Sequence, residues 1–128
     1  KPGAAIYCET LAAIISALLG SQWSTLTIPQ GLVQGIGAEL AFAAVRYRSF
    51  RLPTALFAGA LTGLGAALFD FFVWNAGLAV LSYRIPYAAL TIVSSMVIAG
   101  LGGWALTRAL AQTGALDRFP AGRERAAV

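Results

Sequence analysis

Residues Gly31–Tyr47 read GLVQGIGAELAFAAVRY. The run has the composition of a membrane-spanning helix, yet it holds Gln34 and Glu39 and passes into a basic cluster, Arg46, Arg48 and Arg51. A charge at the centre of a bilayer costs from roughly 2.5 to well over 10 kcal/mol, and the residue that carries one normally faces a cavity or a partner. Glu39 is therefore a candidate functional residue. Gln34 lies five positions away, about 140° round an ideal helix, so the two side chains border a wide pocket rather than share a face. Gly35 shares the Glu39 face and would leave space beside it, and Gly31, Gly35 and Gly37 would let the helix loosen.

The rest of the chain agrees with a membrane reading. Of 128 residues, 59% are hydrophobic and 11% charged, against about 25% charged in soluble domains. The mean hydropathy is +0.76. The expected fold is all-α, a polytopic transmembrane helix bundle. A net charge of +4 raises nucleic acid as a partner. The basic residues sit at helix ends rather than on one soluble face, which argues against it. The single cysteine, Cys8, cannot form an intrachain disulfide. The chain has no histidine, the commonest general base and metal ligand. No CxxC, Walker-type or GxSxG pattern occurs. The expectation is a protein that is not an enzyme and holds no metal or cofactor.

Four apolar segments are visible, at about 4–19, 31–47, 52–76 and 87–110, within a membrane domain of residues 1–114 followed by a polar tail, 115–128. A span needs about 20 residues, which the last two meet and the first two approach. Gly20–Gln30 is an uncharged loop holding Trp23 and Pro29. Arg48–Arg51 demands a tight helical hairpin. Gly77–Pro86 forms the remaining loop, with Pro86 suiting a helix start. Glu9 inside the first apolar segment and the lack of an A-x-A-like site argue against a cleaved signal peptide. A piece or processed form of a longer membrane protein is expected.

Charge gives the topology. Lys1, Arg46, Arg48, Arg51, Arg108, Arg118, Arg123 and Arg125 fall on one side of such a bundle and Arg84 alone on the other. The positive-inside rule then places both ends of the segment in the cytoplasm, in a multi-pass protein of the cell membrane.

Two further carboxylates lie in apolar segments. Glu9 shares a face with Ala13, Ser16 and Gly20, and is either a structural hydrogen-bond partner, a snorkelling side chain or part of a site. Asp70 is expected to pair with Arg84. Small residues recur at Gly59, Gly63 and Ala66, a stripe continued by Asp70 and Trp74, and at Ser95, Ala99 and Gly103, as expected of close helix packing. Trp23, Phe71, Phe72, Trp74, Tyr83 and Tyr87 gather toward the outer side. They make either an interfacial aromatic belt or the wall of an outward-opening pocket with Glu39 at its floor, suited to a flat, nitrogen-rich or cationic molecule.

The run Gln22-Trp23, then GLVQGIGAELAFAAVRYR at Gly31–Arg48, then LFDFFVWN at Leu68–Asn75 resembles the YkoE family. These are substrate-binding S components of energy-coupling factor (ECF) importers, associated with thiamine or its hydroxymethylpyrimidine precursor. The resemblance covers nearly the whole chain. It implies a bundle of about six helices, of which these four look like the last, with the N-terminal pair absent. It implies uptake from outside with a transmembrane coupling subunit and a pair of cytoplasmic ATPases as partners. Carried onto this chain, it makes Glu39 the contact to the aminopyrimidine, gives Gln34 and Gln22 further polar contacts, and has Trp23 stack on or cover the ligand. Trp74, Asn75 and Tyr83 would form the outer wall. The alternative is a structural membrane subunit or small channel without a small-molecule site.

Overall fold

The computed structural model describes residues 1–116 and 118. Four long helices follow one another: α1 at Ala4–Leu18, α2 at Thr27–Ala44, α3 at Leu52–Trp74 and α4 at Val80–Gln112. A short 3-10 turn, Ser24–Leu26, leads into α2. No strand occurs among the described residues. The polar tail with Arg123 and Arg125 lies outside the described residues, except for 115, 116 and Arg118.

The helices start and stop for local reasons. Gly20 takes a φ of +86° after α1, and the Gly20 and Ser21 N–H groups donate back to the Ala17 and Ser16 carbonyls at 3.2 and 3.1 Å. That is a left-handed glycine stop. Helix α2 begins at Thr27, four residues before the expected Gly31. Pro29 falls in its first turn, where a missing N–H costs nothing. Helix α4 likewise begins at Val80 rather than Tyr87. A wide π turn over Val80–Arg84 precedes Pro86, and the Tyr83 and Arg84 N–H groups both donate to the Ala79 carbonyl at 3.2 and 3.1 Å. Such a turn lets the helix run through a proline.

Packing is between chain neighbours: α1 on α2, α2 on α3, α3 on α4. Helices α3 and α4 are long and apolar enough to cross a membrane, at about 34 and 50 Å by rise per residue. Their roles differ. In the most apolar window of each, 39% of α3 is buried and 6% of α4, so α3 is central and α4 an edge.

The interior is made of small residues. Among the described residues the buried apolar side chains are all alanines: Ala13, Ala41, Ala58, Ala66, Ala67 and Ala111. Large apolar residues such as Leu18, Phe72, Leu81, Leu90 and Ile98 face outward. This inversion suits lipid, where helices associate by close backbone packing rather than by hiding leucines from water. Gly59 and Gly100 mark the α3–α4 crossing, since a Cβ on Gly59 would lie 2.8 Å from the Gly100 nitrogen.

The expected ridge of Ser95, Ala99 and Gly103 does not form one contact face. Ser95 meets Gly63 and donates to the Gly59 carbonyl at 2.9 Å. Ala99 and Gly103 are exposed, and Gly100 takes the next contact, against Ala55 and Leu56. The π segment Met96–Gly102 shifts the register there, because a five-residue spacing replaces the four-residue one.

Candidate functional site

Helices α1 and α2 pack closely, and a groove remains between them. Its volume is about 200 Å³, and Glu9 and Ser16 of α1 face Thr27, Gln30 and Gln34 of α2 across it. Spacing explains the convergence. Glu9 and Ser16 are seven apart, Thr27, Gln30 and Gln34 three and four apart, so each set lies on one helical face. The alanines Ala12 and Ala13 keep the α1 wall low. A wider hollow of about 560 Å³, bounded by Ile15, Leu19, Gly20 and Ser21, shares Ala12 and Ser16 with it. One carboxylate and two amides border this largely polar cleft, with one Gln30 N–H already given to Asp70, and they offer acceptors and donors that could orient a small polar ligand.

At the same end of the bundle, Asp70 joins three helices. Gln30 of α2 donates to its Oδ1 at 3.0 Å, and the Tyr87 hydroxyl of α4 donates to its Oδ2 at 3.0 Å. The expected Asp70–Arg84 ion pair is not what forms. Arg84 instead donates to the Phe71 carbonyl and lies over the Phe71 ring, 3.7 Å from its centroid. Each carboxylate oxygen thus has one donor, and the guanidinium takes the aromatic face instead. Trp23 packs on Trp74 with ring centroids 4.9 Å apart. The Trp74 indole nitrogen is buried and has no hydrogen-bond partner among the described residues.

Glu39 lies away from the groove. Because α2 runs from Thr27 to Ala44 rather than from Gly31 to Tyr47, Glu39 sits five residues from its last residue rather than mid-helix. The Gly3 and Ala5 N–H groups at the start of α1 donate to its two oxygens at 2.5 and 3.0 Å. The Tyr47 hydroxyl donates at 2.5 Å, and that bond pushes the phenol above its usual pKa. The carboxylate thus caps the positive end of the α1 dipole. The space expected beside Gly35 is filled by α1, since a Cβ there would lie 2.8 Å from the Ile6 Cα. Helix α2 is regular throughout.

The remaining candidates scatter. Gln34 lines the groove. Trp23 and Trp74 meet each other. Gln22 is exposed in the loop after α1, and Asn75 is half-buried beyond α3. Tyr83 stacks on Tyr87 at 5.9 Å. Thr27 and Gln30 fall in the uncharged stretch Gly20–Gln30 expected to be a loop, whereas both lie on α2. The signal for Gln30 was its four-residue spacing from Gln34.

Apolar helices in series, an alanine and glycine interior, and polar groups gathered between two of the helices define a membrane helix bundle with a polar cleft. The family described as "ABC-type cobalt transport system, permease component" matches residues 1–65, and the chain belongs to that family. It is 36% identical over 124 residues to the provisionally named HMP/thiamine permease protein YkoE of Bacillus subtilis (strain 168), covering 97% of this chain. It superposes on a crystal structure of an S-component of an ECF transporter with a TM-score of 0.89 and 35% identity, again over 97% of this chain. The resemblance to the YkoE family read from the sequence therefore holds in sequence and in fold. Both matched proteins are transport components rather than enzymes. The chain spans 62% of the length of the first and 63% of the second.

Proposed function

We propose that this chain is the membrane-embedded, substrate-binding part of an ECF-type importer, and that it captures thiamine or its hydroxymethylpyrimidine precursor in the α1–α2 groove. The observation that carries the reading is the convergence of Glu9, Gln30 and Gln34 on one cleft in a chain with an S-component fold. An aminopyrimidine presents an exocyclic amino donor beside ring-nitrogen acceptors. A carboxylate and two amides answer that pattern. The donor set favours an organic ligand over a cobalt ion. The chain lacks histidine, and no three of His, Cys, Asp and Glu come together among the described residues.

In this reading Gln34 and Glu9 are the primary polar contacts. Trp23, with Gln22 beside it in sequence, covers the mouth from the loop. Trp74, Asn75 and Tyr83 form the neighbouring outer wall. Glu39 holds the start of α1 against α2, outside the cleft. The groove end faces outside and the arginine-rich end faces the cytoplasm, where a coupling subunit and a pair of ATPases would act.

Intrinsic fluorescence tests this, because the touching Trp23 and Trp74 report on that end of the bundle. Titrating the detergent-purified protein with hydroxymethylpyrimidine or thiamine is expected to give a saturable change in tryptophan emission. No change with either compound, with calorimetry equally silent, would leave a structural membrane subunit as the better reading.

A further inference from the structure

The turn joining α2 to α3 sorts its side chains. Phe42 and Phe50 pack with ring centroids 6.1 Å apart, Tyr47 reaches inward to Glu39, and the Thr54 and Ser49 hydroxyls lie 3.2 Å apart in a hydrogen bond. Arg46, Arg48 and Arg51 are left exposed. None of the three has an acidic partner among the described residues, and Glu39 is already held by Gly3, Ala5 and Tyr47.

The turn is fixed. Arg46 and Tyr47 adopt left-handed φ values of 54° and 58°, a conformation that costs a non-glycine residue on the order of 1 kcal/mol or more. Backbone bonds from Arg46 to Ala43 and from Tyr47 to Phe42, both 2.8 Å, hold it. It is also short. Only residues 45–51 separate α2 from α3, so the guanidiniums cannot leave the level at which the helices exit the bilayer. The abundant anion at that level is the lipid phosphate. Helix α3 adds to the field there, since its N-terminus carries no side-chain cap.

We propose that this turn is a binding site for anionic phospholipid headgroups, with Arg46, Arg48 and Arg51 gripping the phosphate. Guanidinium suits the task because its planar fork meets phosphate oxygens two at a time. The test is native mass spectrometry of the protein in neutral detergent, offered phosphatidylglycerol or phosphatidylcholine of matched chains. Phosphatidylglycerol is expected to be retained in preference. Each of Arg46→Gln, Arg48→Gln and Arg51→Gln is expected to weaken that retention by about fivefold, with the helical circular dichroism unchanged. Equal retention of the two lipids would overturn the proposal. So would single variants that keep phosphatidylglycerol as well as the parent, or variants that lose affinity only for a polyglutamate peptide, which would point to an acidic protein surface.

Discussion

Gly37→Ala is expected to destabilise the protein by about 3 kcal/mol, seen as a clear drop in its thermal midpoint in detergent. A Cβ at Gly37 would lie 2.3 Å from the Leu61 carbonyl oxygen and 2.7 Å from the Leu61 carbonyl carbon. Both atoms belong to the α3 backbone, which has no flexible end to move aside. The same crossing is tight from the other side, where a Cβ on Gly65 would meet the Val33 carbonyl oxygen at 2.9 Å. Helices α2 and α3 would have to separate along their contact, and the α1–α2 groove is carried on α2. Gly103→Ala is the matched control. Nothing lies within 4 Å of the position its Cβ would take, so alanine should be neutral or should stabilise by up to about 1 kcal/mol through helix propensity. Equal effects from the two substitutions would remove close backbone packing as the basis of the fold.

Asp70→Ala is expected to cost a similar amount, about 3 kcal/mol, for a different reason. It leaves the Gln30 amide and the Tyr87 hydroxyl without their acceptor in a site where Asp70 is only 6% exposed. Three helices lose one shared tie. Asp70→Asn keeps one acceptor oxygen and is expected to lose less. Arg84→Gln should be milder than Asp70→Ala in the same melting experiment, because Arg84 engages Phe71 rather than the carboxylate. An Arg84→Gln midpoint as low as that of Asp70→Ala would restore the ion pair.

Much of the architecture was legible because lipid imposes simple rules. Apolar runs marked α1 and α3 closely, and the Arg48–Arg51 segment marked the hairpin between α2 and α3. Glu9, Ala13 and Ser16 read as one face of α1, and all three line the groove, although the spacing alone left the role of Glu9 open. What was hidden depended on local geometry that residue type does not encode. Pro29 and Pro86 suggested boundaries, yet one fell in a first turn that needs no N–H and the other followed a π turn that accommodates it. Those shifts moved Gln30 onto a helix and Glu39 toward the end of one. Two of the partners of Glu39 were invisible for another reason: they are the backbone N–H groups of Gly3 and Ala5, which any residue but proline would offer. The ridge of Ser95, Ala99 and Gly103 failed because a π segment interrupts the four-residue spacing on which it was read.

In the proposed function the two glutamates divide the labour, Glu9 meeting the ligand and Glu39 holding α1 to α2. Calorimetric titration of hydroxymethylpyrimidine and thiamine into Glu9→Gln and Glu39→Gln, side by side with the parent protein, tests this division directly. Glu9→Gln is expected to lose at least tenfold in affinity, about 1.4 kcal/mol, with its thermal midpoint little changed. Glu39→Gln is expected to melt earlier yet bind within a few-fold of the parent once folded. Parental affinity in Glu9→Gln, with the tenfold loss appearing in Glu39→Gln instead, would contradict the groove as the place of capture and return that role to Glu39.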